Sequence, residues 1–265
     1  MAKKVAIVTG AGRGIGLGIA LKLAKELDMN IAIVDVDDVS MADAVKQVKA
    51  TGKDAIAVKC DVSKSADVQN MVAKAFEFVA REAAVAVDVA ISSSPDAVND
   101  ADRVVFPGQG AMPDCMRYLR ESGLENAVRR AAAEKPFFGV CVGMQMLFDH
   151  AEEGDTTGLG IFAGTAKRFR PVDHALKVPH MGWNEVIQTS PHALWQDISS
   201  GERFYYVHSY YCDPADPEVT AATTNYSGCF TAAIARANIF ATQFHPEKSH
   251  RAGLTLYRNF LNWHP

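Results

Sequence analysis

Cys141 stands at the centre of Gly139-Val140-Cys141-Val142-Gly143, directly after the apolar run Phe137–Val140. Small residues on both sides let the chain turn sharply from strand to helix, which leaves a nucleophile exposed at the carboxyl edge of a sheet. A helix opening near Gly143 favours a thiolate at its N-terminus and stabilises charge that develops on a bound carbonyl. Far downstream, Gln243-Phe244-His245-Pro246-Glu247 sets an imidazole and a carboxylate two residues apart. That spacing suits a base held by its orienting acid, so Cys141, His245 and Glu247 form a candidate triad for nucleophilic catalysis. Taken singly, Cys141 reads as a small buried core residue and His245 as part of a surface turn. The elbow and the His-Pro-Glu sequence together favour chemistry. His245-x-Glu247-x-x-His250 has a metal-ligand look, but the proline between the first two opposes it, and no metal is expected.

A second candidate lies at the front of the chain. Thr9-Gly10-Ala11-Gly12-Arg13-Gly14-Ile15-Gly16 follows an apolar strand and opens a helix. Glycines there let the backbone turn tightly and let a pyrophosphate approach the free N–H groups of a helix N-terminus. Asp35 ends the next strand about 20 residues further on, where a carboxylate can hold a ribose 2′-hydroxyl. An acid at that point, with Asp37 and Asp38 beside it, repels a 2′-phosphate, so NAD is favoured over NADP. The plainer reading is a strand-to-helix turn that needs glycine for packing alone.

These residues need a scaffold, and the chain has the means to build one. At 265 residues, 48% hydrophobic and 22% charged, it can bury a core and hold one large or two small domains. A net charge of −4 without a basic block argues against nucleic acid or an anionic membrane as partner. The longest charge-free apolar run, around Phe137–Phe148, is too short to span a bilayer, and nothing resembles a signal peptide. Five cysteines without a C-x-x-C pair suggest neither a disulfide framework nor a zinc site, so a cytoplasmic protein with reduced thiols is expected.

Val5–Thr9, Asn30–Asp35 and Ala55–Cys60 read as buried parallel strands with helices between them. Ser65 is a candidate N-cap for a helix whose apolar face carries Val68, Met71, Val72, Ala75, Phe76 and Val79. Strands are expected at Val85–Ser92, Arg103–Phe106 and Phe137–Val140, and one helix over Asp114–Ala133. After Phe148 more Tyr, Trp, Thr and Pro suit antiparallel strands on the flank. The class is α/β, with a mainly parallel sheet flanked by helices.

The front loop resembles the short-chain dehydrogenase/reductase family, whose nucleotide loop has the form T-G-x-x-x-G-x-G. Cys60-Asp61-Val62 is similar to that family's adenine-side strand end. The likeness implies nucleotide contacts at Thr9, Gly10, Gly12, Gly14, Ile15, Gly16, Asp35, Asp61 and Val62. It covers residues 1–70 as a Rossmann-like but incomplete βαβαβ segment. The family's Tyr-x-x-x-Lys is absent from this chain, and without that general acid hydride transfer has no proton partner. NAD binding is expected to be weak, and no cofactor is required.

Residues 71–265 resemble the class I glutamine amidotransferases, and Pro179-His180-Met181-Gly182-Trp183-Asn184 with Tyr206-Val207-His208-Ser209-Tyr210 narrows the likeness to the glutaminase subunit of imidazole glycerol phosphate synthase. That implies a flavodoxin-like core, L-glutamine as substrate, and a (β/α)₈-barrel cyclase subunit as the partner that receives ammonia for histidine biosynthesis. It also implies an oxyanion strand at Gly108, Gln109 and Gly110. Val142, Gly143, Gln145, His208, Ser209 and Tyr210 are implied around the bound glutamine. The plainer reading of Gln145 and His208 is structural polarity, and His150, His174, His192 and His264 are expected to face solvent. The family's opening Asp-Tyr-Gly-x-Gly-Asn loop is missing, with the dehydrogenase-like stretch in its place. The strand that carries that loop is central in the family, so Ala55–Cys60 is expected to fill its slot and pair with Arg103–Phe106. The alternative keeps the dehydrogenase order and pairs Val85–Ser92 beside Val5–Thr9.

Overall fold

A computed structural model describes residues 4–60, 67, 70, 71, 73, 74, 77, 89–173 and 176–265. The chain divides into two compact units, Met1–Ile91 and Ser92–Pro265.

The first unit holds β1 (Lys4–Thr9), α1 (Gly14–Glu26), β2 (Met29–Asp35), α2 (Asp38–Lys49) and β3 (Ala55–Lys59). The strands form a parallel sheet in the order β1-β2-β3. Burial explains why β2 is apolar from Ile31 to Val34. Ile31 and Ile33 face α1 and α2, packing with Ala20, Ala24, Met41, Ala44 and Val48. Val34 joins Val58, Cys60 and Met71 in a separate cluster, so the alternating sides of β2 are both covered. Asp37 caps α2, its side chain accepting from the Val39 N–H at 3.2 Å.

β3 pairs with β2 in a five-residue register from Ile31↔Ala55 to Asp35↔Lys59. It does not pair with the 103–106 region, so the substitution expected from the missing strand is wrong. The physical reason is local: a βαβ connection closes a short loop onto an adjacent edge, whereas the expected pairing spans a long one. Of the strand expected at Val85–Ser92, residues 89–92 are irregular, and the rest lies outside the described residues. Ser65, Asp61, Val62 and His174 lie outside them too, as do Val68, Val72, Ala75, Phe76 and Val79.

The second unit opens with α3 (Pro95–Asp100) and β4 (Val104–Gly108), then α4 (Met112–Glu121) and α5 (Glu125–Glu134). The single helix expected over Asp114–Ala133 is two. Gly123, at φ +72°, ends α4, with Gly123 N–H donating to the Arg120 carbonyl and Leu124 N–H to that of Leu119. That is the Schellman pattern, and glycine takes the left-handed residue without a Cβ penalty. β5 (Phe137–Cys141) follows, buried at every residue, then the single turn α6 (Val142–Gln145).

The next strands are β6 (Phe148–Ala151), β7 (Thr156–Thr157), β8 (Phe162–Arg168), β9 (His180–Gln188), β10 (Glu202–His208) and β11 (Tyr210–Pro214). β12 (Thr220–Asn225), β13 (Cys229–Arg236), β14 (Ile239–Thr242) and α7 (His250–Asn262) complete the unit. β4, β5 and β14 form a parallel core, β5 in the middle. β13 joins β14 antiparallel and leads into the flank, where the pairing is antiparallel except for β6 with β8. Phe138 anchors α7 to the core, its ring 5.3 Å from Phe260 and edge-on to Tyr257 at 5.9 Å. Among the described residues no helix is long and apolar enough to cross a membrane.

Candidate active site

Three parallel strands end together. Gly108 of β4 lies opposite Cys141 of β5, and Val140 lies opposite Thr242 of β14. Cys141 therefore sits at the carboxyl edge, and the chain leaving β14 passes beside it. Its backbone is strained, at φ 57° and ψ −115°, as a nucleophile elbow requires. The turn is possible because Gly108 and Gly143 interlock. A Cβ on Gly143 would come within 2.0 Å of the Phe106 carbonyl oxygen, and one on Gly108 within 2.4 Å of the Gly143 nitrogen. Val142 and Gly143 begin α6, where N–H groups have no partner inside the turn.

His245 follows β14 and is pinned on both sides of its backbone. Its N–H donates to the Tyr205 carbonyl at 2.9 Å, and its own carbonyl accepts from Ser249 Oγ at 2.6 Å. The ring Nδ1 is 2.7 Å from Glu247 Oε1, and Tyr257 donates to the other carboxylate oxygen at 3.4 Å. His245 Nε2 is buried and finds no hydrogen-bond partner among the described residues. Burial works against a charged ring, but Cys141 and Glu247 outweigh it and push His245 up to about 10. Burial likewise opposes the Glu247 carboxylate, yet the His245 charge holds it below the usual range. This arrangement can take a proton from a thiol and give it to a departing group.

Gln145 Nε2 donates to the Tyr210 carbonyl at 3.2 Å and to Gln243 Oε1 at 3.1 Å. Gln243 in turn aims Nε2 at Cys141 Sγ, 3.8 Å away. Its place in the site was missed from sequence. The signal was its position two residues before His245, on the segment that leaves β14 beside Cys141. His208 is buried and donates from Nδ1 to the Tyr210 carbonyl at 2.8 Å, while Ser209 lies half-buried at the bend between β10 and β11. Gln109 and Gly110 are exposed, and the Gln109 carbonyl accepts from Cys115 Sγ at 3.2 Å, tying this loop to α4.

His192 does not face solvent as expected. Its ring lies 4.7 Å from Phe240 and 5.1 Å from Trp263, and burial lowers it to about 4. His150 pairs with Asp155 at 2.8 Å, and His264 is exposed. His250 stacks on Trp183, rings 4.5 Å apart. Among the described residues no group of three or more His, Cys, Asp or Glu could hold a metal ion.

In the first unit, the glycine loop and Asp35 do meet. Asp35 Oδ2 accepts from the Gly12 N–H at 3.0 Å and Oδ1 from that of Val36 at 2.8 Å. The Gly12 bond leads the effects that hold this carboxyl below its ordinary value. Gly10 and Gly14 have φ of +63° and +60°, as a tight turn requires. Packing accounts for the other two, since a Cβ on Gly16 would meet the Gly10 oxygen at 2.1 Å and one on Gly12 the Ser40 hydroxyl at 2.4 Å. Thr9 and Gly14 are exposed, and Ile15 is 85% exposed at the open end of α1. These residues fit a nucleotide's phosphate and ribose, with lone pairs still free on Asp35.

Residues 4–93 match the short chain dehydrogenase family, and residues 63–263 match glutamine amidotransferase class-I. The imidazole glycerol phosphate synthase subunit HisH of Nitrosospira multiformis is 56% identical over 201 residues, 73% of this chain and 92% of that protein. The subunit of the same name from Chromobacterium violaceum is 57% identical over 180 residues, covering 66% of this chain and 85% of that protein. A third, from Aromatoleum aromaticum, is 56% identical over 200 residues, 73% of this chain and 92% of its own. With three-quarters of its length matched and the Cys-His-Glu geometry at the head of three parallel strands, the chain belongs to the class-I glutamine amidotransferase family.

Proposed function

We propose that the protein hydrolyses L-glutamine to glutamate and ammonia, with Cys141 as nucleophile, His245 as proton carrier and Glu247 as its orienting acid. The observation that carries this is the buried His245 ring, held by Glu247 on Nδ1 and bare at Nε2, on the segment that also brings Gln243 Nε2 to 3.8 Å from Cys141 Sγ. The Cys141 sulfur adds to the carboxamide carbon, and its proton rests on His245. Backbone N–H groups at Val142 and Gly143, with the Gly108-Gln109-Gly110 strand, stabilise the oxyanion. Collapse of the tetrahedral species breaks the C–N bond, and His245 protonates the leaving ammonia. Water then attacks the γ-glutamyl thioester, giving a proton to His245, and glutamate leaves as the thiol re-forms. Gly143, Gln145, His208, Ser209 and Tyr210 form the wall beside the bound glutamine.

The likeness to the HisH subunits supports the destination of the ammonia, a (β/α)₈-barrel cyclase subunit acting in the cytoplasm in histidine biosynthesis. Cys141→Ala should lower glutamine turnover by about four orders of magnitude or more, the scale of loss for a catalytic nucleophile. Turnover is measured as glutamate released, with and without a barrel subunit, and retention of most activity would sink the assignment. A γ-glutamyl thioester trapped on Cys141 is the direct sign of the reaction.

The Gly12–Asp35 contact favours a second property, nucleotide binding by the first unit. Glutamine hydrolysis by the triad needs no cofactor. NAD, if bound, contributes no step to that reaction, and Thr9, Gly10, Gly14, Ile15 and Asp35 are the described residues that would hold it.

A further inference from the structure

β9 turns His180 into the second unit, where its ring stacks between Tyr206 at 4.8 Å and Tyr226 at 3.9 Å. Its Nδ1 lies 2.9 Å from Nε2 of His208, on the neighbouring strand β10. Burial lowers His180 to about 4 and His208 to about 3, so both rings are neutral near pH 7. A carbonyl only accepts, so the His208 bond to Tyr210 puts the His208 proton on Nδ1. Its bare Nε2 must then accept from His180 Nδ1–H. His180 Nε2 is bare in turn, and Asn184 Nδ2 lies 3.3 Å from it. The second Asn184 hydrogen goes to the Asn225 carbonyl at 3.0 Å. Every bond in the row has one permitted sense, and the row ends on the same Tyr210 oxygen that receives Gln145. From there Gln145 holds Gln243, and Gln243 points at Cys141.

We propose that His180 and His208 are positioning residues: their one-way hydrogen bonds fix the Tyr210 carbonyl, and through Gln145 and Gln243 they set the wall of the glutamine site against Cys141. Neither ring takes part in the proton transfers. This rests on the glutaminase reading above and goes beyond it by assigning His180, which reaches the site's own His208 from the neighbouring strand β9.

His180→Phe keeps a ring between the two tyrosines and removes both nitrogens, whereas His180→Gln supplies a donor and an acceptor together. The Phe variant should raise KM for glutamine about tenfold, the worth of one well-made hydrogen bond, with a smaller change in kcat. The Gln variant should recover most of that loss, which a packing defect would not allow. Alkylation of Cys141 by iodoacetamide, read by mass spectrometry, needs no glutamine pocket and should stay near the wild-type rate in both. Nitrogen-15 spectra of the wild type should show both rings protonated on Nδ1, and an Nε2–H form of either ring overturns the proposal. An active wild type with an unchanged KM in His180→Phe also overturns it. If that variant does not fold, Asn184→Leu breaks the row at its outer end and must raise KM in the same direction. A wild type that does not hydrolyse glutamine overturns the functional reading instead, a result plainly distinct from these.

Discussion

Glu247 sets the charge of His245 as well as its orientation. Its carboxylate is one of two groups that push the ring up to about 10 against the effect of burial. An amide at that position keeps a hydrogen-bond acceptor and removes the charge, so the ring loses its proton at lower pH. In Glu247→Gln, the alkaline limb of kcat/KM, measured between pH 6 and 10.5, should therefore move down, while the plateau falls less than in Cys141→Ala. An unmoved limb would contradict the role given to the carboxylate. The three residues were legible in the sequence because an elbow and a His-x-Glu spacing are local patterns. Gln243 and His180 were not read as site residues, because what gives them a role is contact with Cys141 and His208 across other strands. His192 was misread for the same cause: its neighbours Phe240 and Trp263 lie far along the chain.

The elbow is an element-scale device, since β4 and the start of α6 must nearly touch for Cys141 to stand where it does. Gly143→Ala adds a methyl that would come within 2.0 Å of the Phe106 oxygen, a backbone atom that cannot swing aside. The variant should lose about 1–3 kcal/mol of stability, seen as a lower thermal midpoint, and its turnover should fall further than stability alone explains. Wild-type turnover in that variant would mean the close approach is dispensable. Apolar runs marked β2 and β5 well, because a parallel strand buried on both faces must be apolar on both, and the shorter runs of the edge strands β1 and β3 were legible too. The break at Gly123 passed unread, since α4 and α5 keep one helical pattern across it. Strand partners were harder still. Nothing in Ala55–Lys59 distinguishes an edge on β2 from one on β4; the short connection decides it.

On the scale of the whole molecule, two family likenesses overlap over residues 63–93, and the first unit forms its own parallel sheet in the order β1-β2-β3. The chain nevertheless has no Tyr-x-x-x-Lys. Oxidation of secondary alcohols with NAD should accordingly be undetectable by NADH absorbance, and a reproducible, enzyme-dependent rise would refute that. The second unit assembles its chemistry from strands widely separated in sequence. β14 fills the edge of β5 opposite β4, and only the segment after it supplies Gln243 and His245. A chain still emerging from the ribosome carries Cys141 long before that strand exists, and until it docks the thiol has no base beside it. Until that segment has emerged and docked the triad is incomplete, and no ammonia is released.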